Sequence, residues 1–75
     1  MQKFHLNFIL TTANATQEAI KNSLLEFGQE LEIVVLEKSV DSNLQDFNVS
    51  IKTEDPTIIF DLCADFGRIK SVKIN

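Results

Sequence analysis

Leu31-Glu32-Ile33-Val34-Val35-Leu36-Glu37-Lys38, followed after a polar stretch by Phe47-Asn48-Val49-Ser50-Ile51-Lys52, decides the fold, because it sets two strands in succession with no helix between them. The unbroken apolar run Ile33 to Leu36 is too short and too β-branched for a helix. It suits a strand that is apolar on both faces. In the second segment Phe47, Val49 and Ile51 alternate with Asn48, Ser50 and Lys52, the period-two pattern of a strand with one buried face. Ser39 to Gln45, polar apart from Val40 and Leu44, is predicted to be the hairpin connection.

Outward from this pair the chain repeats one order on each side. Phe4, Leu6, Phe8 and Leu10 alternate with His5, Asn7 and Ile9, which predicts the first strand. Thr11 to Thr16 breaks the alternation, and Asn14 followed by Gln17 predicts a helix start with reciprocal capping. Ala19, Ile20, Leu24 and Phe27 then recur at helical spacing over about three turns, with Gly28 as a permissive stop. On the far side Asp55-Pro56 predicts a second helix, its carboxylate capping free N–H groups while proline sits where no N–H is needed. Ile59, Leu62, Cys63 and Phe66 form its inward stripe, Gly67 ends it, and Arg68 to Asn75 is the last strand, with Val72 and Ile74 as its expected core residues. The expected core joins Phe4, Leu6, Phe8, Leu24, Phe27, Val49, Ile51, Leu62 and Phe66.

Strand, helix, strand, strand, helix, strand predicts an α+β, ferredoxin-like βαββαβ two-layer sandwich. Its antiparallel four-stranded sheet has spatial order 4-1-3-2 and both helices on one face. The 75 residues are expected to form one domain, 1–75. A domain this small is marginal alone, which favours association. An apolar content of 44%, with six Phe and no Trp or Tyr, argues for a packed core and against disorder. The net charge of −4 opposes the phosphate neutralisation that nucleic-acid binding requires. One Cys, no leader-like N-terminal run and no apolar stretch of membrane-spanning length lead to the expectation of a reduced, cytoplasmic protein that does not enter a membrane.

No motif carries chemistry. His5 is the only histidine and falls on the sheet face away from the helices, with no second ligand at metal spacing, so it reads as surface. Cys63 lies on a core stripe and reads as a small buried hydrophobe. Asp55 is explained as a cap, and Asp61 and Asp65 lie on the outer face of the same helix, so no metal and no cofactor is expected. Base stacking on the open sheet face, as in RNA-recognition modules of this strand order, is excluded by parity. Phe4, Phe8 and Phe47 share the core side, and the Arg/Lys-Gly-aromatic octamer is missing from strand three. A heavy-metal carrier would place Cys-x-x-Cys after strand one, and an acylphosphatase an Arg-bearing anion loop. Thr11-Thr12-Ala13-Asn14 stands there instead.

The whole-chain plan resembles ACT-like small regulatory domains. The likeness is carried by Leu24-Leu25-Glu26-Phe27-Gly28 leading into Ile33-Val34-Val35, and by the closing Phe66-Gly67-Arg68-Ile69-Lys70-Ser71-Val72-Lys73-Ile74. That resemblance implies a non-enzymatic, ligand-sensing regulatory module, with a small molecule such as an amino acid bound where two subunits meet. The acidic residue and Gly that the family places shortly after strand one are absent. Thr11, Thr12 and Asn14 are therefore ligand candidates by position and hydrogen-bonding ability only. The alternative is a protein–protein interaction module without a small-molecule ligand.

The two sheet edges differ. Strand four carries Arg68, Lys70 and Lys73, and Lys70, sharing parity with Val72 and Ile74, is expected to lean inward and deter pairing. Strand two keeps Glu32, Glu37 and Lys38 towards its ends, with Ile33 and Val35 facing the helices and Val34 and Leu36 the open side. A homodimer through strand two, with Val34 and Leu36 in the interface, is the expectation.

Overall fold

The computed structural model describes residues 3–36 and 43–75. The elements run β1 (Phe4–Thr12), α1 (Gln17–Leu24), β2 (Gln29–Val35), β3 (Gln45–Thr53), α2 (Pro56–Ala64) and β4 (Arg68–Ile74). All pairings are antiparallel, in the order β2-β3-β1-β4, which is the expected 4-1-3-2 read from the other edge. Leu6, Phe8 and Leu10 of β1 and Phe47, Val49 and Ile51 of β3 share one face. There they form a single buried cluster with Ile20 and Leu24 of α1 and Ile59 and Cys63 of α2. The architecture is thus α+β, a four-stranded sheet carrying its helices on one face, consistent with the ferredoxin-like sandwich. Of the expected hairpin and the polar end of strand two, Glu37, Lys38 and Val40 lie outside the described residues.

Several local expectations are corrected. Thr16, not Asn14, caps α1, its hydroxyl accepting from the Ala19 N–H at 3.1 Å. The reason lies upstream: the Thr12 hydroxyl accepts from the Ala15 N–H at 3.2 Å, so the chain is still turning at Asn14 and the helix starts later. The helix is also shorter than three turns, with 8 residues, and Leu25 to Phe27 form a turn after it. Phe27 consequently leaves the core and is 40% exposed. Asp55 caps α2 as expected, accepting from Thr57 and Ile58, with Pro56 opening the helix. Neither glycine adopts a positive φ. Their role is close approach. A Cβ on Gly28 would lie 2.6 Å from the Lys52 carbonyl oxygen, and one on Gly67 only 1.9 Å from that of Thr11.

β4 differs most from its sequence pattern. Ile69 pairs with Leu10 and Lys70 with Ile9, but the register then shifts, so that Lys73 pairs with Asn7 and Ile74 with Leu6. Ser71, at φ 55°, forms the bulge that takes up the extra residue. Side chains directly opposite one another share a face. Arg68, Lys70 and Lys73 therefore all stand on the open face, and Lys70 does not lean inward. It approaches Asp46 of β3 at 3.7 Å instead. Val72 and Ile74, beyond the bulge on the edge strand, are 45% and 52% exposed rather than core.

Cys63 is fully buried, and burial pushes its thiol up to about 12. Thiol reagent is expected to label the native protein slowly and the unfolded protein fast; rapid stoichiometric native labelling would overturn this burial. The sign of the linked pH effect follows. Between the ordinary thiol value and about 12 the unfolded chain loses this proton and the folded one keeps it. This site therefore lowers stability as pH rises through that window and contributes no change below it.

Candidate functional site

The β2 edge and the groove beside it are the strongest site among the described residues. Ile33 pairs with Val49 and Val35 with Phe47, on the helix-covered face, while Glu32 pairs with Ser50 and Val34 with Asn48, on the open face. Leu36 continues the ladder, its N–H donating to the Asp46 carbonyl at 2.9 Å. Val34 and Val35, pointing to opposite faces, are each 51% exposed. The C-terminal half of this edge strand leaves apolar surface on both sides, its charges Glu30 and Glu32 lying towards the other end.

The edge is aligned by a second bulge. Between Gln29 and Glu32 the register shifts, and Glu30 takes φ 52°. Glu30 meets Lys52 at 2.8 Å, and that ammonium holds its carboxyl below the usual range. In an antiparallel ladder the N–H and C=O of one residue point to the same side and alternate along the strand. Leu36 turns towards β3, so Val34 and Glu32 do too, and the main-chain groups of Ile33 and Val35 point out of the sheet. One of these is taken: the Gln17 amide, at the first turn of α1, donates to the Ile33 carbonyl at 2.6 Å. Gln17 was expected to serve a capping pair with Asn14; with the helix starting later, its side chain is free to cross to β2.

Beneath that bond, between α1 and β2, lies an open groove of about 380 Å³ lined by Gln17, Glu18, Lys21, Asn22, Leu31 and Ile33. Its size suits a small molecule, and its lining offers both charge signs on the helix side and two aliphatic side chains on the strand side. A second open groove, about 560 Å³, lies at the opposite end of the sheet between Leu25, Phe27, Lys3, Lys52 and Asp55.

The three candidates placed by position are not gathered around either groove. Thr11 is half-buried on the open face and donates to Asp46 at 2.6 Å. Thr12 is 2% exposed, its hydroxyl engaged by Ala15. Asn14 is exposed in the loop. Sequence reasoning also missed a pair. His5 and Ser50 meet at 2.7 Å across β1 and β3 on the open face, a diagonal the shared parity of the two strands could have revealed. Neither of these two grooves is lined by His5 or Ser50. Among the described residues no group of three His, Cys, Asp or Glu side chains is placed to hold a metal ion. Among them, too, no helix is long and apolar enough to cross a membrane.

No family model matches the chain. No curated protein and no solved structure matches it either. The functional reading therefore rests on the edge, the groove and the architecture.

Proposed function

We propose that this chain is a non-catalytic regulatory module of the ACT-like kind, a cytoplasmic homodimer joined through β2 that senses a small molecule at the subunit junction. The observation that supports it best is the adjacent pair Val34 and Val35, each half-exposed, on opposite faces of one edge strand. A second copy of the same strand covers both at once, and a domain of 75 residues gains stability from the added burial. The groove between α1 and β2 opens along that same edge, so a partner subunit would close it. Glu18 and Lys21 on its rim are suited to the two charges of an amino acid.

The second reading, a protein-interaction module with no ligand, draws on the loop after β1. There the Thr11 and Thr12 hydroxyls are engaged within the fold and only Asn14 stands free in solvent. Sedimentation and thermal shift separate the readings. The wild-type chain is expected to dimerise at tens of micromolar, a concentration at which a roughly micromolar dimer is populated. The Val34→Lys, Leu36→Glu double variant is expected to sediment as monomer and to lose any metabolite response. A midpoint raised by an amino acid in the wild type supports sensing, since a ligand that prefers the folded state stabilises it. A dimer indifferent to a metabolite panel supports the second reading, and a wild-type monomer removes the dimer and its junction site together.

A further inference from the structure

The outward main-chain groups of β2 define how a second copy would pair. Turning β2 about a two-fold axis at Val34 sets Ile33 opposite Val35 of the second copy, and Val35 opposite its Ile33. These are the residues whose N–H and C=O point out of the sheet, so each pair exchanges two hydrogen bonds. On the open face Val34 then meets its own counterpart and Glu32 meets Leu36. On the helix face Ile33 meets Val35. No like charges oppose one another among the described residues, and the strand is self-complementary in this register. Within it the Ile33 carbonyl must accept from the Val35 N–H of the second copy. In the single chain that carbonyl already accepts from Gln17 at 2.6 Å.

We infer that the Gln17 side chain is a built-in competitor for self-association: its amide stands against the outward Ile33 carbonyl that the partner strand needs, so pairing either displaces it or makes two donors share one oxygen. This rests on β2 being the association edge, and adds to that reading a specific regulatory contact. Gln17 is placed for such a role. It lies at the first position of α1, where its own N–H makes no helical bond, and the cap of the helix belongs to Thr16. Its side chain also lines the groove of about 380 Å³, so a molecule bound there that offers the amide another partner frees the edge. Ligand occupancy and strand pairing are coupled through one side chain.

The test compares dimer dissociation constants by sedimentation for the wild type, Gln17→Ala, and Gln17→Met, which keeps the length but cannot donate. Both substitutions leave the Thr16 cap intact and suit a helix. Each is expected to tighten the dimer roughly 5- to 30-fold, the range for one or two released hydrogen bonds of ordinary net strength. Adding Val34→Lys to Gln17→Ala is expected to return the monomer. If the Gln17 variants dimerise as the wild type does, or more weakly, while Val34→Lys still breaks the wild-type dimer, the competitor role is overturned and the β2 edge stands. A Gln17→Ala dimer that survives Val34→Lys also overturns it, because the gain then comes from another surface. Monomers throughout, at up to hundreds of micromolar, overturn both the edge and the competitor.

Discussion

Phe8→Ala is expected to lower the stability of the domain by about 3–5 kcal/mol, enough to leave a substantial unfolded population in a chain this small. Phe8 is fully buried at the centre of β1, paired with Val49, and its ring meets Phe60 of α2 edge-on at 5.5 Å between centroids. The truncation removes apolar area, leaves a cavity between sheet and helix, and forfeits an aromatic pair. Phe27→Ala supplies the control, because the same residue type stands 40% exposed beyond the end of α1. Urea unfolding should show a much smaller loss there. Equal midpoints for the two variants would contradict the placement of these side chains.

The second large effect is expected from Gly67→Ala. The new methyl would sit 1.9 Å from the Thr11 carbonyl oxygen and 2.9 Å from its carbon, both main-chain atoms that no rotamer change can move aside. Overpacking against backbone is expected to cost about 1–3 kcal/mol or more and to displace the end of β1 from the turn entering β4. The backbone angle of Gly67 adds no penalty of its own, since its φ is not positive. The loss is therefore purely steric, and amide shifts in NMR spectra should concentrate at Thr11 and Thr12. A variant as stable as the wild type, with those resonances unmoved, would refute the close approach.

What the sequence makes legible here is whatever depends on local period. The alternation in Phe4 to Leu10 and in Phe47 to Ile51 places every one of those side chains on the correct face, and Asp55-Pro56 marks its helix start to the residue. The errors fall where a distant partner decides. Asn14 is a sound cap by residue type, but the Thr12 hydroxyl draws the loop into a turn first. Val72 and Ile74 alternate as core residues should, yet beyond the bulge at Ser71, on an edge strand, they stand at the surface. Lys70 and Lys73 are three apart, which in a regular strand means opposite faces; the added residue brings them together with Arg68. Of the candidate site, the apolar edge at Val34 to Leu36 is visible as a run of residues. The Gln17 contact is not, because it needs both the late start of α1 and the direction of one carbonyl.

The strand order β2-β3-β1-β4 has a kinetic consequence. The centre of the sheet is β1 against β3, and the other flank of β1 is closed by β4, with His5 and Asn75 exchanging main-chain hydrogen bonds at 3.1 and 2.9 Å. The earliest made of these four strands is thus flanked on both sides by strands made much later, and its neighbour in sequence order, β2, is not its partner in the sheet. Native pairing cannot begin with the first half alone. It waits for loop closures of tens of residues, which makes folding slower than in helical bundles of similar size. Until β4 is made, one main-chain edge of β1 stays unpaired and open to pairing with the wrong strand.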